Sequence, residues 1–341
     1  MIREAIRKIV DGDHLSRAEA ITAMTEIMDG EATQSQVASF VTALRMRGET
    51  VDEITGFVQV MRDKAIKVKP EADDLLDTCG TGGDRLGTFN ISTTATFVIV
   101  GAGVTVAKHG NRAASSSCGS ADVLEGLGVR LDMDADRVAM CIDKSGLGFM
   151  FAPIMHPAMR HAIVPRKEIG IRTVFNLLGP LTNPAAAQRQ IVGVFSPALT
   201  EPLAKVLNAL GSRRAMVVHG MDGLDEISTV GETRISEIKD GEVRTYSLHP
   251  SDAGLQTTSA ESLAAGDGGV MDNVRTLLSV LDGEKGPCRD IVLLNAAAAL
   301  VVADKVDNLK SGIEMASESI DSGAAMAALE SFRSITQELA D

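Results

Sequence analysis

The chain has no tryptophan, one tyrosine and nine phenylalanines among its 341 residues. A core so poor in aromatics must be filled by Ala, Val, Ile, Leu and the 15 methionines, which favours helices packed closely on a sheet over an all-β sandwich. Only 10 prolines accompany 32 glycines, and the 45% hydrophobic content argues against long disordered tracts. The four cysteines, Cys79, Cys118, Cys141 and Cys288, form neither a CxxC pair nor a zinc spacing, which points to a reducing, cytoplasmic setting. No apolar run reaches the ~18 residues that a bilayer span needs, so no membrane association is expected. The opening MIREAIRKIV is broken by charges and does not resemble a secretory signal. Basic residues are outnumbered 33 to 46, for a formal charge of −13. The average field therefore repels polyanions: nucleic acid is excluded as a partner, and a phosphate ligand needs a local site aided by a metal ion.

The length suggests two lobes rather than one core. Residues 1–70 read as a small all-helical lobe. Ser16 with Glu19, Thr33 with Gln36 and Thr50 with Glu53 each match a capping box, and apolar residues return at helical spacing after each, as in Val37, Phe40, Val41 and Leu44. From about residue 71 short apolar runs alternate with glycine loops and helical stretches. TFVIVGAGVTVAKHG reads as a buried helix followed by a strand, Ala215 to His219 as a strand entering a glycine-rich loop, and DIVLLNAAAALVVA as a buried helix. The expected fold is α/β: the small helical lobe plus a larger lobe, residues 71–167 and 185–341, with a mainly parallel central sheet flanked by helices and ligands at the carboxyl ends of its strands. Residues 153–184 are rich in proline and positive charge and read as a crossing between lobes, with about 168–184 rejoining the helical one.

Three polar stretches stand out. In DTCGTGGDRLGTFNIST, residues 77–93, Gly80, Gly82 and Gly83 permit positive φ and close approach of amide donors to an anion, and Asp84, Thr88, Asn90, Ser92 and Thr93 add polar groups near a helix start. A tight strand-to-helix turn with Ser92 as a simple cap fits the same letters. Neither Walker A nor GxGxxG is present. The run from Lys108 to Val129 supplies Lys108, His109, Asn111, Arg112, Ser115, Ser116, Ser117 and Ser120, a concentration of cationic and hydroxyl donors that suits phosphate, although a solvated serine-rich loop is the plainer reading. Asp225-Glu226 is either a surface pair or a partial Mg2+ shell. His109, His156 and His161 lack any zinc motif and read as core or hydrogen-bonding residues. Arg166 matters only if a carboxylate has to be clamped.

These segments, GTGGD at 80–84, NIST at 90–93, KHGNRAASS at 108–116, GSADVLE at 119–125, HPAMR at 156–160 and GIRTVFNLLGPLTNP at 170–184, resemble the anthranilate phosphoribosyltransferases of tryptophan biosynthesis. The resemblance implies transfer of the phosphoribosyl group of 5-phosphoribosyl 1-diphosphate (PRPP) to the amino group of anthranilate, with release of pyrophosphate, dependence on Mg2+ with two ions, and a homodimer paired through the helical lobe. It places PRPP on Gly80, Gly83, Asp84, Thr88, Asn90, Ile91, Ser92, Thr93, Lys108, His109, Gly110, Asn111, Arg112, Ala113, Ala114, Ser115, Ser116 and Ser120. Anthranilate falls to Gly80, Asn111 and Arg166, and Mg2+ to Ser92, Asp225 and Glu226. Lys108, His109 and Arg166 are the implied catalytic residues. A pyrimidine nucleoside phosphorylase shares the expected sheet lobe but has no need of the acidic pair, and a nucleic-acid-binding relative would show a basic groove. The crossing segment from Pro153 to Pro184 is expected to act as a hinge whose closure excludes water.

Overall fold

A computed structural model of the chain describes residues 1–83, 87–113, 118–266 and 269–340. The N-terminal lobe is four helices, α1 (Ile2–Val10), α2 (Arg17–Met28), α3 (Gln34–Arg47) and α4 (Val51–Lys64). All three capping boxes form, each with the hydroxyl accepting from the third helical amide and the Glu or Gln reaching back to the cap amide. Glu53 serves a second purpose. Fully buried, it accepts from the Leu15 amide at 2.8 Å and pairs with the Arg47 guanidinium at 2.5 Å, so the cap of α4 also fastens the α1–α2 turn. Phe40 and Phe57 meet edge to face at 5.8 Å, and burial of each ring contributes roughly 2–3 kcal/mol.

The larger lobe is built on strands β1 (Leu76–Gly80), β2 (Val106–Gly110), β3 (Leu147–Phe151), β4 (Arg189–Gly193), β5 (Arg214–Gly220), β6 (Thr233–Lys239) and β7 (Glu242–Leu248). They form a seven-stranded sheet in the order β3-β2-β1-β4-β5-β6-β7. The first five are mutually parallel, and β6 and β7 add an antiparallel edge. The helices around it are α5 (Ile91–Gly101), α6 (Ser120–Gly126), α7 (Ala135–Ser145), α8 (Ala152–Met155), α9 (Arg160–Ile169), α10 (Phe175–Leu178), α11 (Thr200–Ala209), α12 (Val270–Leu281), α13 (Pro287–Val302), α14 (Leu309–Asp321) and α15 (Ala324–Ala340). The helix at DIVLLNAAAALVVA is α13, and the strand at Ala215–His219 lies within β5.

Strand alternation sorts the side chains into two cores. Ile191, Met216 and Val218 face a core made with α5, α13 and α15. Val192, Ala215 and Val217 face the opposite way, into a core shared with α11 and with Phe40, Phe57 and Leu178. The hydrophobic interior of the helical lobe is thus continuous with one face of the sheet. The proline-rich crossing is more regular than its sequence suggested. Pro153 stands in the first turn of α8, and Pro157 and Pro180 in first turns of short 3-10 segments before α9 and after α10, where no amide donor is required, while Pro165 is carried inside α9. The return to the helical lobe also begins before residue 168: α9 packs on α2 and α3, and its Ala162 is fully buried in the shared core.

Candidate active site

The parallel strands end at a cleft of about 350 Å³. Every described residue that the sequence reading singled out for ligands lines it: Gly80, Gly83, Thr88, Asn90 to Thr93, Lys108 to Ala113, Ser120, Arg166, Asp225 and Glu226. Asp84, Ala114, Ser115, Ser116 and Ser117 lie outside the described residues.

The glycine loop and the acidic pair are built against each other. After β1 the chain passes through Gly82 and Gly83 at φ of +65° and +88°, conformations that side chains resist. The Gly82 amide then donates to Asp225 Oδ2 at 2.8 Å. In the next loop the Ser92 amide, in the first turn of α5, donates to Glu226 Oε1 at 3.2 Å. Two glycines make the approach possible: a Cβ on Gly193 would stand 1.7 Å from the Asp225 carbonyl oxygen, and one on Gly80 would stand 2.9 Å from Asp225 Oδ2. Two carboxylates and a nearby hydroxyl are hard oxygen donors of the kind Mg2+ takes. Among the described residues no cluster of three or more His, Cys, Asp or Glu could cage a metal, so an ion here would complete its shell with water and ligand oxygens, as Mg2+ commonly does.

The start of α5 is polar and incompletely satisfied. Asn90 donates through Nδ2 to the Cys118 carbonyl, while its buried Oδ1 and the buried Thr93 hydroxyl find no partner among the described residues. Buried polar atoms are rarely left so unless a ligand or water meets them. Its backbone is held by Asn273 of α12, whose Oδ1 accepts from the Asn90 amide at 3.1 Å.

Lys108 and His109 are both buried. Lys108 is buried under the cleft, and its Nζ donates to the carbonyl and hydroxyl of Thr78. Burial pulls its pKa down, with buried Asp77 opposing the shift. His109 is the buried, hydrogen-bonded histidine that the sequence reading preferred to a metal ligand: burial, aided by neighbouring His156, lowers its pKa to about 3 and keeps it neutral. Its Nδ1 faces the Gly179 carbonyl at 3.2 Å and its Nε2 faces His156 Nε2 at 3.2 Å, so both ring nitrogens are engaged by protein. The exposed Arg112 pairs with Asp122 and Glu125 of α6, inside the GSADVLE segment.

Arg166, on α9, lies over the Phe175 ring at 5.3 Å, half-buried at the helical-lobe side of the cleft. Burial lowers its pKa, but a guanidinium keeps its charge. Sequence reasoning assigned no role to Arg172, which stacks on Phe195 at 4.4 Å and donates to the Gly83 carbonyl at 2.5 Å. Nor did it identify Asp77, Asn273 or Gly193. Arg172 and Phe175 stood within GIRTVFNLLGPLTNP and Asp77 opened DTCGTGGDRLGTFNIST, so the signal was present without a role attached; Asn273 and Gly193 meet the site only through folding.

Comparison with known proteins agrees with this geometry. Residues 3–65 match the helical bundle domain of the glycosyl transferase family and residues 72–326 its a/b domain. The anthranilate phosphoribosyltransferase of Symbiobacterium thermophilum is 54% identical over 99% of this chain and 98% of its own. The crystal structure of the Thermus thermophilus enzyme superposes with a TM-score of 0.92 at 44% identity, covering 98% of this chain and 99% of that one. The Saccharomyces cerevisiae enzyme, solved in complex with PRPP and Mg, gives 0.90 at 31% identity over 99% and 98%. With both domains of the family matched and relatives aligned along nearly its full length, the chain belongs to the anthranilate phosphoribosyltransferases, transferases of the glycosyl transferase family that serve tryptophan biosynthesis.

Proposed function

We propose that this enzyme transfers the phosphoribosyl group of PRPP to the amino group of anthranilate, releasing pyrophosphate in a Mg2+-dependent reaction, the second step of tryptophan biosynthesis from chorismate. The observation that carries the reading is convergence: the loops after β1 and β2, the acidic pair after β5, and Arg166 with Phe175 all open into one cleft. The yeast relative, solved with PRPP and Mg, supports the donor and the metal.

Displacement of pyrophosphate from ribose C1 leaves positive charge on the sugar and negative charge on the leaving group. In this reading the phosphates lie against the Gly80–Gly83 loop and the start of α5, where the Thr93 hydroxyl, without a partner among the described residues, is a donor for them. Asp225, Glu226 and Ser92 would hold up to two Mg2+ ions, which when bound supply positive charge against the departing diphosphate. Arg166 pairs with the anthranilate carboxylate and aims the amine, with Asn111 and Gly80 bounding the ring. The amine is neutral at pH 7, so it needs orientation more than a strong base, and a neutral His109 is no obstacle. Lys108 and His109 shape the floor of the cleft by fixing Thr78 and Gly179. Asp84 and Ala114 to Ser116 complete the PRPP site in this reading.

The protein acts as a cytoplasmic homodimer paired through α1 to α4 and α9, where Val10, Ile163 and Val164 are exposed. No helix among the described residues is long and apolar enough to cross a membrane. The deciding experiment follows anthranilate fluorescence in the purified protein with PRPP and Mg2+ and with each component omitted. Signal loss only in the complete mixture supports the reading; no loss from folded protein, with turnover of a nucleoside and phosphate instead, replaces it with phosphorolysis.

A further inference from the structure

We propose that Asn295 is a positioning residue for the metal-binding carboxylates, an inference that rests on the functional reading above. Asn295 stands in the middle of α13, 4% exposed, in a stretch that carries no charge from Ile291 to Ala303. An amide there weakens the helix and is costly to bury unless fully bonded. It is fully used. Its Oδ1 accepts from the Ile227 amide at 3.0 Å, and its Nδ2 donates to the Ile227 carbonyl at 2.8 Å and to the Ile291 carbonyl at 2.9 Å.

A primary amide offers a donor and an acceptor in one plane, so it grips both backbone groups of a single residue and fixes the peptides on either side of it. Ile227 follows Asp225-Glu226 directly. The loop is thus held from below by the rigid α13 and from above by the Gly82 and Ser92 amides, which each take one carboxylate oxygen. With Asn295 in place the remaining oxygens keep a fixed direction; without it the pair stays in the cleft but loses its aim. Partners that orient metal ligands typically account for 10- to 100-fold in metal affinity.

The test measures PRPP binding to the full-length protein by calorimetry across a Mg2+ titration, without anthranilate, so that no turnover contributes. In Asn295→Ala the Mg2+ concentration for half-maximal PRPP binding should rise 10- to 100-fold, with wild-type PRPP affinity regained at saturating Mg2+. Leu329→Ala, a buried position on α15, controls for general destabilisation: it should lower the unfolding midpoint and leave the Mg2+ requirement alone. If Asn295→Ala does not fold, Asn295→Asp, which keeps the volume and the acceptor but loses the donor, should show the same displacement. An unchanged Mg2+ requirement in a folded Asn295 variant, or an equal displacement in Leu329→Ala, overturns the assignment. Wild-type protein whose PRPP binding ignores Mg2+ would instead overturn the functional reading on which it rests.

Discussion

A methyl group added at Gly193 should damage the active site without touching any substrate-binding side chain. Gly193 ends β4, paired with Gly80 on one side and Val218 on the other, so its backbone has little freedom to retreat. A Cβ there would stand 1.7 Å from the carbonyl oxygen of Asp225 and 2.7 Å from its carbonyl carbon, whereas real contacts of this kind are essentially never under 3.0 Å. Restoring that minimum displaces the Asp225 backbone by about 1.3 Å, and it is the loop, not the strand, that yields. A misplacement of about 1 Å at a catalytic group costs on the order of 100-fold, about 2.7 kcal/mol of transition-state stabilisation. Gly193→Ala should therefore lower kcat/KM roughly 100-fold in the anthranilate fluorescence assay and raise the Mg2+ requirement, with the circular dichroism spectrum preserved. Activity within threefold of wild type at every Mg2+ concentration would show that the acidic pair needs no such placement, and the close-approach argument would fail.

Further expectations concern the two sides of the cleft and its floor. Replacing both Asp225 and Glu226 by Ala should abolish most Mg2+-dependent turnover in folded protein; undiminished activity removes them from the mechanism. Arg166→Ala should raise KM for anthranilate at least tenfold more than KM for PRPP, and the reverse pattern in steady-state kinetics would move Arg166 to the phosphate side. Burial holds His109 near 3 and His156 near 4 against an ordinary value of about 6.5. Between those values the unfolded chain binds protons that the folded chain refuses. The stability they contribute is complete above pH ~6.5 and falls as the solution is acidified, by up to ~1.4 kcal/mol per pH unit for each ring. His109→Gln should flatten that slope in urea midpoints taken from pH 7 to 4.5, and an unaltered slope would mean that the rings are hydrated and titrate normally.

What could be read from the sequence was what is local. A capping box lies within four residues, so Ser16, Thr33 and Thr50 announced their helices; the uncharged run of α13 and the β-branched run of β5 did the same. Glycine loops were legible by composition because positive φ is a property of one residue. The prolines of 153–184 misled because their effect depends on position: Pro153, Pro157 and Pro180 stand in first turns, which need no amide donor, and only Pro165 is carried inside a helix. The surroundings of Lys108 and His109 were illegible for a different reason. Each is buried against segments distant in sequence, Lys108 against Thr78 and Asp77, His109 against His156 and Gly179. Arg112 shows the intermediate case, since Asp122 and Glu125 were in view in the quoted motif, but their pairing with it requires the turn into α6.

The placement of the cleft residues divides the work between the two cores. The segment from β1 to the start of α5 and the acidic pair after β5 are tied to Asn273 and Asn295 of α12 and α13, helices packed in the core on one face of the sheet. Arg166 and Phe175 belong to the crossing segment, and Phe175 is buried in the other core, with α3, α4 and α11. A movement of the helical lobe would then carry Arg166 and Phe175 while leaving the glycine loop and the acidic pair fixed to the sheet. Arg172 bridges the two, stacked on Phe195 after β4 and bonded to the Gly83 carbonyl of the phosphate loop.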